Sequence, residues 1–320
     1  MQILFPSFGQ EVLDVLNINN IRYCIDGNAI LFPDQGLKMI LVPLYSSENP
    51  ETAAQTSSSG ISASTSSPGI SASISSPGTS AQDSHAGTFF LYEDRWRASK
   101  NVTAQRILSR LGVFRRVHAR LCTVVSLQNC KDNGLSPDAF RSKAKKFLEA
   151  FHTYGYLKGQ TDYLLMYKAD TIAAAQFMKT YSKEETAYEW TRYASLPDVR
   201  IAGGMGKVLE QFIRDVIHRQ DLQKKSDSPK CIEVMSYSDN EWGDGDAYRK
   251  LGFRQKGSIP PVTYRIDPAT YKRINPRQWA QMTLKASRKA TSNGIPPAYP
   301  LIQNQGSRKW VLRLSDGCSG

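Results

Sequence analysis

The chain has no long apolar run. Nothing in it approaches the roughly 18 consecutive apolar residues of a membrane span, and the start lacks the basic, apolar, small-residue order of a secretory leader, so neither spanning nor secretion is expected. Cysteine is sparse as well: five residues, at 24, 122, 130, 231 and 318, scattered and odd in number. No Cys-x-x-Cys pair and no Cys/His metal spacing occurs, so neither a zinc site nor a disulfide framework is expected, and a reducing cytoplasm is the compartment that suits these thiols. Acidic residues are the third shortage. Against 41 Lys and Arg stand 29 Asp and Glu, a net charge of +12. The excess is uneven: fourteen basic residues face three acidic ones between Arg95 and Gln160, and seven face one from Pro276 onward. Such a surface suits a polyanion, nucleic acid above all, or the phosphates of a cofactor; a solvated basic face that serves solubility is the plain alternative.

What is present begins with short apolar segments. Val12 to Ile18 reads as an amphipathic start, and Ile21–Ile25, Ala29–Phe32 and Met39–Val42 read as strands joined by the turns Asp26-Gly-Asn28 and Pro33-Asp-Gln-Gly36. From 46 to 87 the composition changes to Ser, Gly, Ala, Thr and Pro, with Ser66-Ser-Pro-Gly nearly repeated at Ser75-Ser-Pro-Gly. A stretch of that kind buries too little apolar area to offset its ordering entropy, and a disordered insertion is expected there. Thr88–Tyr92 resumes as a strand, followed by a helix with Val102, Ile107, Leu108 and Leu111 inward and Gly112 at its end.

Val117 to Leu127 is expected to open the larger domain as a strand. The next helix gathers Phe140, Ala144, Phe147, Leu148 and Phe151 on one face, and Tyr163–Tyr167 and Thr171–Met178 form a hairpin across Lys168-Ala-Asp170. Tyr188 to Ala194 alternates apolar and polar side chains as a strand does. It feeds a glycine turn, Gly203, Gly204 and Gly206, and then a helix with Val208, Leu209, Phe212, Ile213 and Val216 buried. A strand entering a helix through such a turn offers backbone N–H groups, backed by the helix dipole, to a phosphate. Cys231 to Ser236 reads as another strand and Tyr248 to Gly252 as the end of a short helix. Thr263–Ile266 reads as the last core strand, and Lys309–Leu314 as a closing strand.

Gly204-Met-Gly206-Lys-Val-Leu209 resembles the pyrophosphate loop of GNAT-type N-acetyltransferases, and Tyr248-Arg-Lys-Leu-Gly-Phe253 resembles their tyrosine-bearing C-terminal motif. The family pattern wants a basic or amide residue at 201, where this chain has Ile201 with Arg200 one place early. A wider resemblance, over roughly 89 to 275, is to the GNAT-like domains of phage proteins linked to homing endonucleases and to Mom-type DNA-modification enzymes. It is carried by Tyr92–Trp96, Arg106-Ile107, His118-Ala-Arg120 with Cys122, Phe147-Leu148 with His152 and Gly155, Arg192–Ser195, Gly203-Gly204 with Lys207, and Ser236–Asp239 with Trp242.

The resemblance implies an α+β fold. Its centre is a GNAT-like mixed, mostly antiparallel sheet flanked by helices, beside a small degenerate N-terminal α/β segment and the Ser/Gly/Pro-rich insertion. The implied domains are 1–45 with 88–112, a nuclease-like remnant; 46–87, the insertion; 113–275, the acyltransferase domain; and 276–320, a basic extension. The remnant is expected to be inactive, because Asp26 and Asp34 are its only acidic candidates in the strand region and no Glu-x-Lys follows; no metal site is expected. Acetyl-CoA or another acyl-CoA is the implied cofactor, held by Gly203, Gly204, Met205, Gly206 and Lys207. Tyr248, Asp239 and Arg192 are the implied catalytic residues: Tyr248 protonates a leaving thiolate, Asp239 accepts a proton or orients an amine, and Arg192 binds substrate phosphate or pairs with Asp239. A core tyrosine and a plain structural ion pair are the alternatives. The implied activity is acyl transfer, with a nucleobase amine as acceptor and DNA the favoured nucleic acid; a non-catalytic nucleic-acid-binding module is the competing reading.

Overall fold

The computed structural model describes residues 6–44, 87–180, 186–222, 232–289 and 299–314. Nearly all of the Ser/Gly/Pro-rich insertion, through residue 86, lies outside them. In chain order the elements are α1 (Ser7–Ile18), β1 (Cys24–Asp26), β2 (Ala29–Phe32), β3 (Leu37–Val42), β4 (Thr88–Tyr92), α2 (Glu93–Ala98) and α3 (Lys100–Arg110). Next come β5 (Arg115–His118), β6 (Cys122–Ser126), α4 (Pro137–Phe151), β7 (Thr161–Tyr167), β8 (Asp170–Thr180), β9 (Thr186–Ser195), β10 (Val199–Ala202) and α5 (Gly204–Leu222). The chain continues through β11 (Ile232–Asp239), α6 (Asp246–Lys250), β12 (Arg254–Ile259), β13 (Thr263–Ile266), β14 (Arg273–Ile274), α7 (Pro276–Lys289), β15 (Leu301–Gln303) and β16 (Ser307–Leu314). No helix among the described residues is long and apolar enough to cross a membrane.

Two compact units result: Met1–Ala98 with Pro261–Gln305, and Ser99–Pro260 with Gly306–Gly320. The first holds a sheet in the order β1-β2-β3-β4, antiparallel except for the β3–β4 pair, and a small sheet in the order β14-β13-β15. Helix α1 buries Phe8, Val12, Leu13 and Leu16, one stripe at helical spacing. Tyr92, Ile266 and Ile302 form a second small core. Beside it Arg273 donates to both carboxylate oxygens of Asp94, at 2.7 and 3.2 Å, with both side chains almost fully buried. Thr263–Ile266, expected in the large sheet, pairs here instead, with β14 and β15.

The second unit is built on a seven-stranded sheet in the order β12-β16-β11-β9-β8-β7-β6, antiparallel throughout except where β11 lies parallel to β9. This is the mixed, mostly antiparallel sheet flanked by helices that was expected. Period-two alternation sorts its neighbours onto opposite faces: Leu165, Ala173 and Ala175 pack with Val208, Phe212 and Val216 of α5, while Leu164 and Ala174 pack with Phe140, Ala144 and Leu148 of α4. Helix α4 starts where the sequence places a cap, with the Ser136 hydroxyl accepting from the Ala139 N–H at 3.2 Å and Pro137 in the first turn. The strand expected from Val117 to Leu127 is broken. A 3₁₀ turn at Ala119–Leu121 divides it, so that β5 leaves the large sheet and pairs in parallel with β10, while β6 takes the sheet edge. Lys309–Leu314 does lie in β16, between β11 and β12.

Candidate active site

The parallel ladder between β9 and β11 is short. It runs from Ile232↔Thr186 to Met235↔Glu189 and stops, while β9 continues along β8 and β11 continues along β16. The two strands therefore part after Glu189 and Met235. A bulge assists: the β8–β9 register shifts between Gln176↔Arg192 and Phe177↔Trp190, leaving Thr191 as the extra residue. The Trp190 indole N–H donates to the Arg192 carbonyl at 2.9 Å, tying the bulge down from within.

At the fork of the split the Ser236 hydroxyl donates to the Trp190 carbonyl at 2.9 Å, and lies 2.9 Å from the Tyr248 hydroxyl. Serine carries one hydroxyl hydrogen, and the carbonyl can only accept. The Tyr248 phenol therefore donates to Ser236, in a relay from Tyr248 through Ser236 to the β9 backbone. The Tyr248 ring is boxed by Trp190, Phe253 and Trp310, at 6.2, 5.5 and 6.1 Å between centroids. Burial pushes its pKa up, so the phenol keeps its proton at neutral pH. Gly245 makes the box possible: a Cβ there would stand 2.5 Å from the Trp310 ring, and its φ is +82°.

The glycine turn follows from the same strand. Because β9 leads through β10 into α5, the helix N-terminus sits toward the end where the split opens. Gly203 takes φ +78°, and the Lys207 N–H closes the first helical bond onto the Gly203 carbonyl at 3.0 Å. A Cβ on Gly204 would stand 2.8 Å from Ile201 Cγ2 and 2.9 Å from the Tyr193 hydroxyl. Glycine is thus required at 204 so that helix and strand can approach. Among the described residues the Tyr193 hydroxyl has no hydrogen-bond partner, although burial pushes its pKa up. Met205 packs on the core. Lys207 is not turned toward solvent: its Nζ donates to the carbonyls of Ala119 and Cys122, at 3.0 and 2.5 Å. Arg200 likewise lies over the Phe114 ring at 4.2 Å and donates to the Ser109 carbonyl.

Arg192 and Asp239 are not brought together as an ion pair. Arg192 donates to the carbonyls of Gly155 and Thr191, at 3.0 and 2.7 Å, with its guanidinium over Tyr154 at 5.7 Å. Asp239 ends β11, where Oδ1 accepts from the Glu241 N–H at 2.9 Å and shapes the following turn. His152 closes α4, its Nδ1 accepting from the Tyr154 N–H at 3.1 Å.

The residue that sequence reasoning passed over is Glu189. It occupies the last rung before the split, half-buried, and burial pushes its pKa up while Arg192 and Lys309 pull it back. Glu189 in turn pushes up Tyr237, already raised by burial. A carboxylate amid an alternating strand gave no motif to notice. Its signal was position alone: the last rung of the parallel ladder, two residues before the bulge at Thr191. Glu189 thus ends the ladder on β9 with its pKa pushed up, while the proton-bearing Tyr248 phenol is bonded to Ser236, one residue past the Met235 end of the same rung.

Strand order, bulge and split belong to one mixed, mostly antiparallel sheet flanked by helices.

No family model matches the chain, and no curated protein matches it. Solved acetyltransferases overlap it. One from Bacillus subtilis in complex with CoA is 15% identical, with TM-score 0.29, over 54% of this chain and 92% of its own. A GNAT family acetyltransferase from Elizabethkingia anophelis with acetyl-CoA bound is 12% identical, with TM-score 0.27, over 61% and 99%. The polyamine N-acetyltransferase of Drosophila melanogaster is 12% identical, with TM-score 0.29, over 60% and 100%.

Proposed function

We propose that the unit of Ser99–Pro260 with Gly306–Gly320 is an acyl-CoA-dependent N-acyltransferase of phage or mobile-element type, with a nucleobase amine as the favoured acceptor. The observation that carries this reading is the split after Glu189 and Met235, with Tyr248 held at its fork by Ser236. The residues present suit the cofactor. The first-turn N–H groups of α5 at Gly204, Met205 and Gly206 precede the first helical bond and are free to hold phosphate, with Gly203 shaping the turn. The Tyr193 hydroxyl, without a partner among the described residues, borders that turn. Bound acyl-CoA would supply the activated acyl thioester.

The chain's own part is proton handling and orientation. Glu189, desolvated and above its ordinary range, takes a proton from an approaching amine more readily than a solvated carboxylate does. Tyr248 holds its proton at Oη beside the split, and Ser236 aims that phenol. Arg192 fixes the loop at Gly155 and keeps Tyr154 beneath its guanidinium, so it shapes the acceptor side from the backbone outward. Asp239 sets the turn that leads to α6. The net positive charge suits a nucleic-acid acceptor. A second reading, a nucleic-acid-binding module without catalysis, is favoured by Lys207 and Arg200, whose cations are engaged with backbone carbonyls instead of facing the glycine turn.

Calorimetric titration of acetyl-CoA into the wild type and a Gly206→Glu variant separates the two. Gly204 is the wrong position for such a charge, since any side chain there collides with Ile201 and Tyr193; at Gly206 a Cβ meets only the Leu251 Cδ2 methyl, at 3.2 Å. Micromolar binding that disappears in Gly206→Glu supports the transferase, and mass spectrometry of treated DNA then seeks the acylated base. Absence of binding in the wild type leaves the binding module.

A further inference from the structure

Helix α7, in the unit of Met1–Ala98 with Pro261–Gln305, is attached by little of its own surface. Trp279 is its anchor, stacked under the Arg265 guanidinium at 4.6 Å and against Tyr299 at 5.0 Å. From Pro276 to Lys285 every residue except Trp279 and Thr283 is exposed. At 100° per residue, Arg277, Gln281, Leu284 and Lys285 fall on the side opposite Trp279. The helix also carries Arg288 and Lys289, and no acidic residue anywhere.

Helix economy does not account for that charge. Basic residues in the last turns suit the helix dipole, but Arg277 stands in the first turn, where a cation opposes it, and no acid is there to compensate. A polyanion on this face would relieve that opposition. A membrane surface suits it less well: Met282 and Leu284, 45% and 55% exposed, stand two residues apart and so on different sides of the helix, which denies it a continuous apolar stripe.

We propose that α7 docks on duplex DNA through Arg277, Gln281 and Lys285. An α-helix fits the roughly 12 Å-wide major groove, and Arg277 and Lys285, about 12 Å apart along the axis, reach phosphates on its walls with an amide between them. The docking is independent of acyl transfer and would stand if that reading fell.

The test uses the full chain and a fluorescein-labelled 20-base-pair duplex, with anisotropy read from 50 to 300 mM KCl. The expected result is an affinity that falls steeply with salt. Arg277→Glu with Lys285→Glu should weaken binding at least tenfold and lower the log–log salt slope by about two, near 0.9 for each phosphate no longer neutralised. The neutral pair Arg277→Gln with Lys285→Gln should lie between. Lys143→Glu with Lys145→Glu, equally exposed on α4, should cost less. Circular dichroism checks that each variant is folded, and an unchanged acetyl-CoA titration in the α7 variants separates this proposal from the transferase. It is overturned if the α7 variants bind like the wild type, if the α4 variant loses more, if single-stranded DNA or RNA binds more tightly than the duplex, or if only anionic vesicles are bound.

Discussion

Ser236 is a small side chain with two obligations. Its hydrogen goes to the Trp190 carbonyl and its lone pair receives the Tyr248 phenol, so it holds the split strand and the candidate acid at once. Ser236→Ala would take away the acceptor of the buried Tyr248 phenol, at a cost of about 1–3 kcal/mol seen as a lower denaturation midpoint. Tyr248→Phe removes only the outer link and should cost about 1 kcal/mol, while acyl transfer falls about 10²–10⁴-fold if the phenol is the acid. A Tyr248→Phe enzyme with undiminished turnover would remove that role. Glu189 gives a prediction with a sign in pH. Its folded pKa lies above the ordinary value near 4.5, so the folded state binds the proton more tightly than the unfolded state does. The stability this confers is present below about pH 4.5 and is lost as pH rises through the folded pKa. At neutral pH, Glu189→Gln should therefore raise the melting temperature while abolishing proton abstraction, and its advantage should shrink as the pH approaches 4. A variant that is less stable at pH 7 would show that the charge of Glu189 is repaid by Arg192 and Lys309 instead.

Among the elements, those whose partners lie nearby in sequence were legible. The alternation in Tyr163–Tyr167 and Thr171–Met178, the turn at Lys168 with φ +56°, and the apolar stripe of α5 each need only a few residues of context. The glycine turn was legible as a turn. What Lys207 does there was not, because its acceptors lie 85 and 88 residues away and periodicity says nothing of such distances. The break between β5 and β6 escaped notice for a similar reason: Val117 and Val124 are both apolar, and only the pairing of β5 with β10 shows that they belong to different sheets. The bidentate pair of Asp94 and Arg273 links α2 to β14 across 179 residues and is equally invisible to local patterns. Buried this deeply, it is costly to break and cheap to replace. Asp94→Asn should destabilise its unit by about 3–5 kcal/mol, whereas Asp94→Leu with Arg273→Met should recover most of that loss in chemical denaturation. Equal damage from the single and the double variant would mean that Arg273 matters through its stacking on Tyr92, at 4.7 Å, and not through its charge.

For the whole molecule, reading the chain in order assumes that neighbours in sequence are neighbours in space, and here that assumption fails once. Thr263–Ile266 follows β12 directly and was placed in the large sheet; it belongs with the N-terminal residues, and the chain returns to the large sheet only at Ser307. The register shows how such an excursion is tolerated. β12 and β16 are antiparallel, and Ile259 faces Ser307 at the end of their ladder, so the chain leaves and re-enters the sheet at adjacent points. A pair of that kind is separated by about 5 Å, the span of a two-residue hairpin turn. Replacing residues 260–306 with Asn-Gly and removing 1–98 should therefore leave a fragment that folds alone. Its sheet keeps every strand from β6 to β16 that it now uses, and the cores around Phe177 and Phe140 stay whole. A cooperative thermal transition with retained acetyl-CoA binding would place the cofactor chemistry wholly in this unit, and loss of duplex binding in the same fragment would agree with docking through α7. A fragment without a cooperative transition would show that the large sheet depends on residues 1–98 or 261–305, and the two units would then have to be treated as one folding body.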